Sequence, residues 1–363
     1  MKRLNLLYIC ILCLLTSSCH VGRFFYYNYA DINDYKKFPQ VPINRNTEVY
    51  TFIDDGKRVV LPPMTFENKT VPFDTYLSDN KTLAFLIIRN DSILYQYYDE
   101  DYNASSIFPS FSMAKSVVSA LVGVAIDEGA IKDANDPVIN HLPELDKSLA
   151  PVTLLHLLNM RSGIKYDESY SNPWADMPKY YYGTNLRKYI LKLKAAEAPD
   201  LHYNYQSVNT LLLALCVERA THMPINQYLE QKLWKPMGME YNASWNIDSR
   251  RDNIIKAYCC LNARTSDFAK IGRLYLNKGN WNGTQLISED WINKSLTITN
   301  DSKDSRGYSY VYQWRVLPTG QFFAKGILGQ YIYCNPKTKL IIVRLGKSDS
   351  GIDWVKVFQR LDL

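Results

Sequence analysis

Residues Phe108–Gly123 read FPSFSMAKSVVSALVG, a polar and aromatic lead-in followed by an apolar run that holds Ser112 and, three places on, Lys115. Val117, Val118, Leu121, Val124, Ala125 and Ile126 recur at helical spacing, and Gly129 is a natural stop. The stretch therefore predicts an internal helix with Ser112 at its start. A lysine in such apolar company loses hydration unless it has a partner or a task. The spacing S-x-x-K does not decide which, because a chain of this length holds about one or two copies by chance. Three stand here: Ser78 with Lys81, Ser112 with Lys115, and Ser162 with Lys165. The first lies in the polar SDNKT, and the third straddles Gly163 in the loop-like MRSGIKYDE. Only Ser112 opens a long helical segment.

Outward from this helix, TLAFLIIRN and SILYQYYDE read as two strands joined at Asn90 and Asp91 in a hairpin. A region from about 131 to 250 is mostly helical in pattern, with VTLLHLLNM, TLLLALCVERA and INQYLEQKLW. The end returns to strands in YSYVYQWRVL, QFFAKGI, QYIYCNP and KLIIVRLG, before a closing helical WVKVFQRLDL. Strands at both ends of a helical middle predict an α+β fold. One antiparallel sheet is assembled from distant segments and flanked by helices, with a helical region inserted.

The 363 residues are 47% hydrophobic and 21% charged, ordinary globular values with room for a sizeable core. A formal charge of +6, evenly spread, argues against a nucleic-acid partner. The start, MKRLNLLYICILCLLTSSC, has a basic end, a short apolar core and small residues before Cys19, the design of a secretory signal. Its core is too short to span a bilayer. LLTSSC resembles a bacterial lipobox, with leucine one place early at Leu15. The resemblance implies a signal peptide over 1–18 and lipidation of Cys19, against a plainly cleaved signal or an uncleaved anchor. The protein is then expected in the bacterial cell envelope, periplasmic or surface-facing, held to the membrane by lipid. Residues 19–45, aromatic and without period, read as a tether, and 46–363 as the folded domain. Of seven cysteines, Cys216, Cys259, Cys260 and Cys334 lie in that domain. Adjacent cysteines seldom bond each other, so buried free thiols are expected at 259 and 260. No spacing suggests a metal.

At a helix start the N–H of Ser112 has no intrahelical partner, and the helix dipole favours negative charge there. That suits a nucleophile whose attack creates an oxyanion, with Lys115 on the same face as its base. Spacing alone equally allows an N-cap serine beside a solvated lysine. His156 in VTLLHLLNM reads as a core histidine, and His141, His202 and His222 show no metal spacing. No G-x-S-x-G elbow is present, which disfavours Ser-His-Asp chemistry. Asp267 reads as a capping acid, and Asp136 with Pro137 as a turn.

The segment PDLHYNYQSVNTLLLAL places Tyr205 and Ser207 before an apolar helix. FSMAKS, then Y-x-S before a helix, then GILGQYIY on a late strand resemble the three motifs of the serine β-lactamase and penicillin-binding superfamily, in its class C branch. VTLLHLLNMRSGI, KLWKPMGM and LNARTSDFAKIGRLYLNKGNWNG agree, and the nearest likeness is to esterase-like and nylon-oligomer (6-aminohexanoate-dimer) hydrolases. It covers nearly all of Asn80 to Leu363. The resemblance implies a β-lactamase/transpeptidase-like fold with Ser112 as nucleophile, Lys115 as its activator, Tyr205 exchanging protons and Ser207 as the motif's polar third residue. Where class C enzymes have K-T-G this chain has Ala324, Lys325 and Gly326. Gly326 and the N–H of Ile327 are expected to line the substrate and oxyanion site, and Tyr170 the cleft.

Ala324 cannot hold a substrate carboxylate, and Lys325 is expected to point to the strand's other face. Activated esters are then expected to be better substrates than β-lactams. The expectation is a serine hydrolase that cleaves a small ester or amide through an acyl-enzyme and needs no cofactor. The alternative is a catalytically weak penicillin-binding-like sensor or binding lipoprotein of the envelope. Oligomeric state is not encoded in any of these motifs.

Overall fold

The computed structural model describes residues 20–66 and 69–362. The expected signal peptide and Cys19 lie outside them. In chain order the elements that matter for the site are helix α1 (His20–Tyr27), strands β1 (Gln40–Ile43), β2 (Thr82–Arg89), β3 (Ser92–Tyr98) and β4 (Phe108–Pro109), and helices α2 (Ala114–Asp127), α3 (Asp176–Tyr182) and α4 (Ser207–Thr221). They are followed by β5 (Ala243–Asn246), β6 (Leu261–Ala263), α5 (Thr265–Leu276), β7 (Ser309–Val311), β8 (Trp314–Val316), β9 (Phe322–Gly326), β10 (Gln330–Asn335), β11 (Leu340–Gly346) and α6 (Trp354–Arg360).

The main sheet runs β7-β8-β9-β10-β11-β2-β3, antiparallel throughout. The strands before and after the helical region thus meet where β11 pairs β2, with Ile341 opposite Ile88. The hairpin is as expected: Asn90 and Asp91 both take positive φ, 48° and 64°, the backbone of a two-residue turn between Arg89 and Ser92. One face of the sheet packs on α5 and the almost wholly buried α2; the other is covered by the helix Phe73–Asp79 and by α6, through Phe85, Tyr331, Trp354 and Phe358. Helix α2 ends at Asp127, two residues before Gly129, which stands at φ +74°.

Residues 20–45 are not the expected tether. Phe24 is buried against Tyr182, their rings 5.5 Å apart and edge-on. Asp34, 3% exposed, accepts a hydrogen bond from Tyr181 (2.6 Å) and pairs Lys37 (2.6 Å). Strand β1 pairs β5 in a second sheet of order β1-β5-β6-β4. Phe24, Tyr27 and Phe38 pack on Tyr181 and Tyr182 of α3, while Phe25, Tyr26 and Tyr29 stay exposed; the contact is tertiary, and no local pattern reports it.

Asp267 does not cap its own helix. Fully buried in α5, it accepts from the backbone N–H groups of Glu240 and Tyr241 and from Lys270, so it ties a loop to the helix. His156 caps locally with Thr153 in a reciprocal capping box.

Candidate active site

Ser112 stands where β4 runs into α2. Phe111–Met113 make one 3-10 turn, and the α-helix starts at Ala114. Phe111, directly before the serine, holds φ +43°, which costs free energy for a bulky residue and persists only under outside support. That support is visible. The Ser110 N–H donates to Leu261 O at 2.8 Å, and strand β9 presses on the turn at Gly326. A Cβ at 326 would lie 2.5 Å from the Ser110 carbonyl and 3.0 Å from Phe111 Cβ, so glycine is what lets strand and turn touch.

Lys115, one turn on, is 1% exposed. Its Nζ donates to Ser112 Oγ (3.0 Å), to Ser207 Oγ at the start of α4 (3.2 Å) and to the Tyr258 carbonyl (2.9 Å). These partners are two hydroxyls and a carbonyl, none of them charged. Of the three S-x-x-K copies only this one pairs: Ser78, Lys81 and Lys165 face solvent, and Ser162 is buried on Asn209. The Tyr205 ring centre lies 5.1 Å from Lys115 Nζ, and the ring meets Tyr310 edge-on and the Arg315 guanidinium at 5.7 Å.

Two cavities open on Ser112. One, of about 250 Å3, is apolar and walled by Phe111, Tyr181, Tyr182, Tyr258 and Leu328, with Tyr29 and Ala30 of the N-terminal segment. The other, of about 280 Å3, is lined by Tyr205, Arg315, Lys325, Gly326, Ser348 and Asp349. Tyr170 and Ile327 border both. The cleft therefore gathers Ser112, Lys115, Tyr170, Tyr205, Ser207, Gly326 and Ile327 around one place. Cys19 lies outside the described residues.

Two expectations fail here. Lys325 does reach the cleft. The strand alternates as foreseen, with Ala324 in the core, but the cleft continues past the strand end to Ser348 and Asp349, so the other face is also a cleft wall. Burial, then Arg315 and Arg306, lower the Lys325 pKa to about 8. Cys259 and Cys260 are joined as a disulfide instead of standing as free thiols. The expectation suited an extended pair, whose side chains point apart; Cys260 instead holds φ +68° in a turn. That turn borders the site: Cys259 lines the apolar cavity, and its neighbour Tyr258 offers Lys115 a carbonyl. Cys216 and Cys334 are free and buried.

Sequence reasoning missed Glu168. Its carboxylate accepts from the Ser207 N–H (2.7 Å) and hydroxyl (2.6 Å) and from the Tyr170 hydroxyl (2.8 Å). Burial raises its pKa above the usual carboxylate range, against the lowering effect of Lys115 and these hydrogen bonds. An acid in the polar run KYDESYSN gives no sequence signal, because such acids are ordinarily solvated. Among the described residues no three or more His, Cys, Asp or Glu side chains gather as a metal ion would require.

Residues 76–353 match the model of the family described as Beta-lactamase. The 6-aminohexanoate-dimer hydrolase of Paenarthrobacter ureafaciens is 27% identical over 291 residues, 74% of this chain and 73% of that protein. Among solved structures, a putative 6-aminohexanoate-dimer hydrolase from Bacillus anthracis superposes with a TM-score of 0.72 at 21% identity, over 90% of this chain and 89% of that one. A penicillin-binding protein from Bacillus halodurans gives a TM-score of 0.64 at 16% identity, over 79% and 99%.

Proposed function

The chain belongs to the beta-lactamase family and has the fold of its hydrolases, and from that premise we propose that it cleaves an ester or amide through an acyl-enzyme on Ser112. The observation that carries the reading is the Lys115 amine, held 3.0 Å from the Ser112 hydroxyl by two further acceptors. In the proposed reaction the amine takes the Ser112 proton as Oγ attacks the carbonyl carbon. The N–H groups of Ser112 and Ile327 receive the oxyanion. Tyr205, beside Lys115, passes the proton to the leaving group, and water then releases the acyl group by the reverse path. Support for small substrates with an apolar part comes from the aromatic cavity on one side of Ser112. The opposite cavity, with Lys325, favours a polar or anionic part. Lipidation at Cys19 and an envelope location remain part of the proposal, carried by the sequence of residues 1–19.

A fluorophosphonate probe tests the reading. Labelling of the folded protein that disappears in Ser112→Ala is the expected result; an unlabelled wild-type protein favours a binding role instead.

A further inference from the structure

Among the described residues Glu168 is the carboxylate in contact with the hydroxyls of Ser207 and Tyr170, and no proton transfer above uses it. A carboxylate only accepts, so it decides where the hydrogens around it point. The single hydrogen of the Ser207 hydroxyl is committed to Glu168 at 2.6 Å. Toward Lys115, Ser207 then presents lone pairs alone, and the Tyr258 carbonyl can present nothing else. Two positions on Lys115 Nζ must be N–H donors, and the third faces Ser112 Oγ at 3.0 Å. In the neutral amine that third position is the lone pair, aimed at the hydroxyl whose proton it removes.

We propose that Glu168 is a positioning residue for the acylation step: it locks Ser207 as an acceptor, so that the Lys115 lone pair is directed at Ser112, and it supplies the counter-charge for the ammonium that forms. The inference rests on the hydrolase reading above. In the step, the Ser112 Oγ–H bond breaks as a Lys115 Nζ–H bond forms. The Oγ–C bond forms as the carbonyl π pair moves onto oxygen. Lys115 passes from neutral to positive while Glu168 keeps its negative charge.

The titratable groups facing Glu168 are Lys115 from α2, Tyr258 from the turn before β6, Tyr166 and Tyr170 from its own loop, and Tyr205 by way of Tyr170. Lys115 is the cation of that set. A Glu168 that must be ionised places an acid limb on the activity profile, above the pH of a solvated carboxylate because burial raises its pKa. The same shift has a stability consequence. A carboxyl whose pKa is higher in the folded state weakens the fold as pH rises from its unfolded to its folded pKa. Glu168→Gln should therefore be no less stable than wild type at pH 7.5, which separates function from mere packing.

The experiment measures kcat/KM for p-nitrophenyl butyrate from pH 5 to 9, and the melting temperature, on the full chain in detergent. Wild type, Ser112→Ala, Glu168→Gln and Glu168→Asp are compared. The expected results are a loss of tenfold or more in Glu168→Gln with an unchanged or higher melting temperature, disappearance of the acid limb, and retention of that limb in Glu168→Asp. Glu168→Gln within twofold of wild type, or any loss with the limb intact, overturns the inference. If Glu168→Gln does not fold, Glu168→Asp decides alone: loss of its limb overturns the inference and retention supports it. Activity retained in Ser112→Ala strikes the hydrolase reading itself, whereas a dead Ser112→Ala beside an unaffected Glu168→Gln strikes only the role of Glu168.

Discussion

Lys115 and Lys325 are both lysines in one cleft, and their surroundings give them opposite tasks. Lys115 has three acceptors and no room for a ligand. Lys325 has no carboxylate within ion-pair distance among the described residues, has two arginines near it, and borders open space. An anionic group on a substrate would supply the missing partner. Charge-assisted hydrogen bonds of this kind contribute about 1.5 to 3 kcal/mol, or roughly ten- to hundredfold in rate constant. Lys325→Ala should therefore lower kcat/KM for mono-p-nitrophenyl succinate by that factor and leave the neutral butyrate ester nearly unchanged; equal effects on both esters would remove Lys325 from recognition. Because protonated Lys325 is lost near pH 8, the succinate preference should decline between pH 7 and 9. The same lysine narrows the gap between esters and β-lactams expected from Ala324. At the catalytic pair, Lys115→Ala and Tyr205→Phe should each cost orders of magnitude in acylation rate and the double variant little more, since both belong to one proton-transfer unit. Additive losses in single-turnover assays would mean that they act separately. The positions of Ser112, Lys115 and Tyr205 were legible because a helix period and a motif locate them. Glu168 and Lys325 were not, because their roles depend on how far a cleft extends.

Strand β9 and the turn Phe111–Met113 form the element-scale contact on which the site depends. Gly326→Ala pushes a methyl group against backbone, where neither partner yields as a side chain would. Overpacking of this kind costs about 1 to 3 kcal/mol, and here it also displaces the Ser112 turn. The expected result is a lower urea midpoint together with slower fluorophosphonate labelling; a variant with wild-type labelling would mean that the turn is held elsewhere. The N-terminal segment is the second such contact. Lys256, fully buried, donates to the Tyr181 carbonyl and lies 3.7 Å from the centre of the Phe38 ring. Burial and Arg23 lower its pKa to about 7. With the folded value below the unfolded one, stability is lost as pH falls through 7 and regained toward 10.5. Melting temperature should therefore rise from pH 6 to 9 more steeply in wild type than in Lys256→Met, and parallel curves would refute this. The sequence showed hairpin and sheet strands through strand-like apolar and aromatic runs and turn chemistry. The segment from 20 to 45 stayed unread because its order comes from Tyr181 and Tyr182, far along the chain.

At the scale of the whole molecule, Arg344 joins the strand that precedes the helical region to those that follow it. Fully buried and stacked 3.7 Å from the Trp354 ring centre, it donates to Thr82 Oγ1 and to the carbonyls of Asn80, Gly329 and Ser348. Arg344→Met would leave buried carbonyls without donors, each worth about 1 to 3 kcal/mol, so a loss of 3 kcal/mol or more is expected from chemical denaturation. A loss below 1 kcal/mol would show that water takes its place. The sequence KLIIVRLG announced a strand but not this arginine's burial, since its partners come from a segment 262 residues away and from turns on either side.

The pairing of β2 with β11 also sets the order of events during synthesis. A ribosome delivers β2 and β3 early, yet the neighbour that completes their sheet arrives only with residues 340–346. Until then β2 is an apolar edge awaiting a distant partner, the arrangement that slows folding and exposes a nascent chain to aggregation or to chaperones. Nascent chains stalled at any length should accordingly stay protease-sensitive in β2 and β3, with resistance appearing in one step after release of the full chain, and not by gradual accretion from the N-terminus.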